Sequence, residues 1–146
     1  MMRTEYDRTI CLLAVLNQSS AVAGPGGLQN PDDTFSFVAD NAVKGISSAV
    51  ALTLHANPQF SLEHWDAPPQ DVHDLLLKQA KPWIGDATVV TSQVKKWRLA
   101  TPLTIWPDRY WANEMIVLAG DAFGGPKIEG AALSGLSAAN YLQQII

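Results

Sequence analysis

The stretch Met115-Ile116-Val117-Leu118-Ala119-Gly120-Asp121, continued by the loop Ala122-Phe123-Gly124-Gly125-Pro126 and a run of small residues from Ile128 to Ile146, sets the terms on which the fold is read. Five apolar, strand-compatible residues stop on Gly-Asp, and the chain restarts as a helix. Such a junction suits a ligand, because the first turn of a helix presents unpaired backbone N–H groups and the positive end of its dipole.

The helix itself has an unusual pattern. Ile128, Ala132, Gly135, Ala139, Leu142 and Ile146 follow helical spacing, Leu133, Leu136 and Tyr141 lie elsewhere around the wheel, and no charge follows Glu129. This pattern predicts burial on most sides. Gly130, Ala131, Ala132, Ser134, Gly135, Ser137, Ala138 and Ala139 would let another backbone approach closely, at the entropic cost glycine brings to a helix. A chain of 146 residues can hardly wrap such a helix by itself. Cover from outside the chain is therefore expected.

Working back toward the start, Thr9 to Leu16 is nearly all apolar and, like Met115 to Ala119, reads as a strand covered on both faces. Gly24-Pro25-Gly26-Gly27 and Asn30-Pro31-Asp32-Asp33 make Ala21 to Thr34 a surface loop. Phe35 to Asp40 and Val50 to His55 alternate as half-buried strands do, with Asn41 to Ser48 between them. Phe60 to Asp66 suits a short helical turn. Pro68-Pro69 opens a longer helix in which Val72, Leu75, Leu76 and Ala80 share a face; Asp71 and Asp74 lie early and Lys78 and Lys81 late, as the dipole favours. Pro82 ends or kinks it. Ala87 to Leu99 is extended, and His64 and His73 read as members of solvated helix faces. The expected fold class is α+β: a mainly antiparallel sheet with one amphipathic helix, over residues 1–112, followed at 113–146 by the strand, turn and helix.

The length allows one domain with a core rather than two ordinary ones. Apolar residues make up 47% and charged residues 16% of the chain, a low charge fraction that leaves surface for a partner, a cofactor or a second copy. A net charge of -4 gives no electrostatic footprint for nucleic acid. Cys11, the one cysteine, lies in an apolar run and reads as a buried structural thiol. No Cys/His spacing suggests a metal site. Arg3 and Arg8 before an apolar run, with Ala21-Val22-Ala23 after it, sketch a secretory leader, but Glu5 and Asp7 interrupt the basic segment and the apolar core is short. The expectation is a cytoplasmic protein without a membrane span, since no apolar stretch nears the roughly 18 residues a span needs.

Gly120-Asp121-Ala122-Phe123-Gly124-Gly125-Pro126-Lys127-Ile128-Glu129-Gly130-Ala131-Ala132-Leu133-Ser134-Gly135-Leu136-Ser137-Ala138-Ala139 resembles the C-terminal flavin motif of the amine-oxidase-like FAD flavoproteins. That pattern has Gly-Asp at a strand end, then Gly-Ala, then Ser-Gly and Ala-Ala down a helix. Lys96-Trp97-Arg98 before a loop, and Thr53-Leu54-His55 followed by Pro58 and Phe60, make it look most like the renalase-like branch. The resemblance runs from about Thr4 onward.

The resemblance implies that 1–112 is part of a substrate domain and that 113–146 belongs to a Rossmann-like FAD/NAD(P)-binding domain. It implies that Asp121, after Gly120, accepts hydrogen bonds from the ribityl chain of FAD. Backbone N–H groups of Glu129, Gly130 and Ala131 would face the pyrimidine end of the flavin ring, where charge develops on reduction. His55 and Trp97 match positions on the substrate side of the flavin. The implied activity is hydride transfer from a reduced nicotinamide-type substrate or an amine to FAD, with oxygen as the final acceptor.

The pattern also departs from the family. Its members open with a strand, a Gly-x-Gly-x-x-Gly turn and a helix that bind the ADP half of FAD, and this fingerprint does not occur here. Gly24-Pro25-Gly26-Gly27 precedes no helical pattern. The expectation is a C-terminal part of a longer flavoprotein, separated from its N-terminal dinucleotide-binding domain and inactive alone. The rival reading, from the same low charge and apolar helix, is a non-catalytic module that self-associates as a homo-oligomer and binds no flavin.

Overall fold

Pairing of the long apolar strand Thr9–Leu16 organises one half of the molecule. The computed structural model describes residues 4–145, and these gather into two compact units, Arg8–Arg98 and a second made of the residues on either side of it. The protein is a mixed α+β fold whose main sheet is antiparallel throughout.

In the first unit the strands are β1 (Thr9–Leu16), β2 (Gly27–Gln29), β3 (Phe35–Asp40), β4 (Ala51–Ala56) and β5 (Val89–Trp97), in the spatial order β2-β3-β4-β1-β5. Helices α1 (Pro58–Glu63), α2 (Pro69–Gln79) and α3 (Lys81–Ile84) lie between β4 and β5 in sequence. Pro58 starts α1 after Asn57, whose side chain accepts the Phe60 N–H at 2.8 Å. Pro69 starts α2, with Asp71 in its first turn and Lys78 in its last. The helical segment breaks after Gln79, and Pro82 lies in the first turn of the short helix α3, which Gly85 closes at φ 68.

Side chains alternate across the sheet. Ile10, Leu12, Ala14 and Leu16 of β1 join Leu52, Leu54 and Ala56 of β4, Phe35 and Val38 of β3, and Val72 and Leu76 of α2 in one buried cluster. Each of the larger side chains stabilises the fold by about 1.5–3 kcal/mol relative to an exposed position. Buried polar groups in this unit are satisfied. Ser61 accepts the Ile10 N–H at 3.0 Å, and the Asp40 carboxylate accepts the Ala42 and Val43 N–H groups and the Ser20 hydroxyl. The expected loop Ala21 to Thr34 proves less uniform than its turn residues suggest. It contains β2, which pairs with β3, and the buried Val22.

Backbone direction also alternates along β1. Leu16 N–H donates to Val50 and Ile10 N–H to Ser61, both on the β4 side, whereas Asn17 N–H donates to Thr88 on the β5 side. Odd-numbered β1 residues therefore bond to their β5 partners Thr91, Gln93, Lys95 and Trp97. Ser92, Val94 and Lys96 aim their backbone groups away from β1, off the edge of the sheet.

The second unit holds β6 (Trp111–Ala112), β7 (Val117–Leu118), α4 (Asp121–Gly124) and α5 (Ile128–Ile145). The expected doubly covered strand Met115 to Ala119 shrinks to Val117–Leu118, paired only with Trp111–Ala112. Asn113 explains the loss: its side chain accepts the N–H groups of Met115 and Ile116 and draws both into a turn, which leaves Met115 87% exposed. Helix α5 is covered by this chain along one stripe. Only Gly130, Ser134 and Ala138 are buried along it, and Ile128 is 93% exposed.

Candidate functional site

Of the residues singled out from sequence, the structure gathers two groups, one in each unit. The first is on the sheet face opposite α1 and α2. There Phe37, His55 and Trp97 come from three different strands, with Phe37 directly opposite His55 in register. The Phe37 and His55 rings are 5.6 Å apart and the His55 and Trp97 rings 5.7 Å apart, both tilted. Between His55 and Trp97 runs β1, whose Cys11 is opposite His55 and whose Thr9 is opposite Trp97. Cys11 and Thr9 are small enough to leave the larger rings touching above them. Trp97, at the sheet edge, is 51% exposed.

Burial lowers the pKa of His55, which keeps the imidazole neutral, with one donor and one acceptor nitrogen. Along the same face, a shallow depression of about 530 Å³ is bordered by Leu13, Val15, Thr53, Thr91, Gln93 and Asn41. Asn41 donates to the Thr53 hydroxyl at 3.1 Å, and among the described residues no charged side chain borders the depression. Flat aromatic faces beside a neutral imidazole and uncharged polar groups can stack a planar ring and hydrogen-bond its edge. Phe37 was not singled out from sequence; a register irregularity between Phe35 and Phe37 sends Phe35 into the buried cluster and Phe37 to the opposite face, a break that simple alternation does not announce.

The second group is the corner from Gly120 to Ala131. Gly120 has φ 147, a conformation that favours glycine, and its N–H donates to Ser134 Oγ at 2.8 Å. The buried Ser134 hydroxyl in turn donates to the Arg109 carbonyl, so one side chain of α5 ties down the chain before and after β7. Asp121 is the first residue of α4, half-buried, and its carbonyl accepts the Gly125 N–H at 2.8 Å. Its carboxylate has no hydrogen-bond partner among the described residues. In α5, Ala131 N–H donates to Lys127, while the N–H groups of Ile128, Glu129 and Gly130 have no backbone acceptor among the described residues. The Glu129 side chain is exposed.

Gly130 has a structural reason to be glycine. A Cβ there would fall 2.3 Å from the Gly124 carbonyl oxygen, and one on Gly124 would fall 1.9 Å from the Gly130 oxygen. Trp106 stacks on Phe123 at 5.5 Å and donates from its indole to Thr4, so these rings are engaged within the second unit. Sequence reasoning included Ser134 and Gly124 in the motif but gave neither a role of its own, because the hydroxyl's two partners and the Gly124–Gly130 approach depend on pairing between segments. His73, expected on a solvated face, is instead half-buried and bonded to Ser92. No group of His, Cys, Asp and Glu among the described residues could hold a metal ion, and no helix there is long and apolar enough to cross a membrane. Neither a protein-family model nor a curated protein matches the chain.

Proposed function

We propose that the chain is the C-terminal part of an FAD-dependent oxidoreductase of the amine-oxidase-like, renalase-like kind. On this reading it is inactive alone and is completed by an N-terminal dinucleotide-binding domain of which residues 113–146 are the last Rossmann-like piece. The observation that supports it best is the corner at Gly120-Asp121. A half-buried carboxylate and a long helix's first-turn N–H groups, none with a partner among the described residues, belong to one sequence motif. Those groups fit the hydroxyls of a ribityl chain and the electron-rich end of a flavin ring respectively.

When bound, FAD would supply the hydride acceptor, and oxygen would take the electrons onward. Asp121 would hold the ribityl hydroxyls, with Gly120 giving the backbone room. Glu129, Gly130 and Ala131 would offer backbone N–H groups, a role that leaves the exposed Glu129 carboxylate free. His55 and Trp97 would bind and orient a planar substrate, a reduced nicotinamide-type compound or an amine, with His55 neutral. The setting would be the cytoplasm.

A second reading, a self-associating module without flavin, draws on α5. Its Ile128, Leu136, Leu142 and Ile145 are exposed, an apolar surface that a second copy could cover. The product of the whole reading frame that encodes this chain decides between them. Stoichiometric flavin absorbance, lost or weakened in Asp121→Ala, is expected. A colourless protein that elutes as a dimer and takes up no FAD would overturn the flavoprotein reading.

A further inference from the structure

On the opposite face of the sheet, three polar side chains form a relay that the flavin reading does not use. His73 Nε2 is 2.8 Å from Ser92 Oγ, and His73 Nδ1 is 3.2 Å from Asp74 Oδ1. A carboxylate only accepts, so the Nδ1 proton points to Asp74. In the neutral ring Nε2 is then the acceptor, and the Ser92 hydroxyl donates to it. Gln70 donates to the same Asp74 oxygen at 2.8 Å, which holds the carboxylate in place. This is the order of a nucleophile, a general base and a group that orients the base.

The strand supplies what a serine alone would lack. Because Ser92 is among the residues whose backbone groups leave the sheet edge, its own N–H points outward beside its Oγ, as does that of Val94 two residues on. An outward N–H on the nucleophile's own residue can bind the oxyanion of an acyl group attached to Oγ. His73 is half-buried and Asp74 exposed, so the relay opens to solvent on its α2 side.

We propose that Ser92, His73 and Asp74 form an acyl-transfer site for small carboxylic esters. Ser92 Oγ bonds to the ester carbonyl carbon as the bond to the leaving alkoxide breaks. The Oγ proton passes to His73 Nε2 and then to the leaving alkoxide. Water then attacks the acyl carbon, gives a proton to Nε2, and the carboxylic acid leaves as Ser92 regains its proton. Asp74 is a positioning residue in this scheme.

The test is labelling of the intact chain with a small fluorophosphonate, read by intact mass and peptide mapping, beside hydrolysis of p-nitrophenyl acetate. One adduct on Ser92 is expected in the native protein, with none in Ser92→Ala. His73→Gln should slow labelling by about 100-fold or more. Asp74→Asn should lower kcat for p-nitrophenyl acetate with KM little changed, a split that a merely structural role would not produce. Absence of an adduct on native Ser92, or equal labelling rates in native protein and folded His73→Gln, would overturn the assignment. Should Ser92→Ala fail to fold, the adduct map of the native chain still decides.

Discussion

The rings of His55 and Trp97 are 5.7 Å apart although their strands are not neighbours, because β1 between them carries the small residues Cys11 and Thr9 at the positions facing them. Bulk on the outer strands and little on the middle one leave a shallow trough. His55 is thereby half-buried and has no ionic partner among the described residues.

That burial has a pH signature. The folded His55 pKa is below its ordinary value, so at acid pH the unfolded chain binds a proton more readily than the folded one. The stability due to neutral His55 is full above the unfolded pKa, near 6.5, and is lost as pH falls through the lowered folded value. His55→Gln should flatten this part of the stability curve in urea titrations between pH 7 and about 5. An unchanged slope would refute the assignment.

Glycines 130 and 135 are on one helix and should respond oppositely to alanine. Gly130→Ala drives a methyl into the Gly124 backbone and should destabilise the corner by about 1–3 kcal/mol. Gly135 has open space around its Cβ direction and no unusual φ, so Gly135→Ala should stabilise α5 by about 0.5–1 kcal/mol. Thermal unfolding followed by helix circular dichroism distinguishes the two signs.

Ser134→Ala removes the hydroxyl bonded to both Gly120 and Arg109, leaving the partly buried Gly120 N–H without that acceptor. A loss of about 1–3 kcal/mol is expected. Amide exchange at Gly120 should quicken with it, and an unaltered exchange rate would mean that the tie contributes little.

Cys11 should be inert. Burial raises its thiol pKa to about 11, so the reactive thiolate is scarce at neutral pH. A colorimetric disulfide reagent should titrate one thiol in denaturant and almost none in the native chain over the same interval.

Much of the first unit was legible from sequence because its signals are local. Alternation located β3 and β4, the apolar run located β1, and Pro69, Asp71 and Lys78 marked α2 within a residue or two. What escaped depended on pairing. Nothing local announces that Gly27 to Gln29 finds β3, or that His73 on α2 reaches Ser92 on β5. At the Gly-Asp corner the motif was visible, but Asn113 redirected Met115 and Ile116 into a turn, a short-range side-chain effect that a run of apolar residues conceals. The lettering of α5 suggested enclosure, whereas within this chain only its narrow Gly130, Ser134, Ala138 stripe is covered.

The pairing of Thr9 with Trp97 has a practical meaning for anyone handling this protein. The sheet unit enters on β1 and leaves on the strand beside it, so its two ends emerge side by side from one ladder. A segment built that way behaves as a cassette: it can be excised, circularly joined or grafted into a host loop with little stretching of its ends. The aromatic trough and the Ser92 relay would travel with it, one on each face.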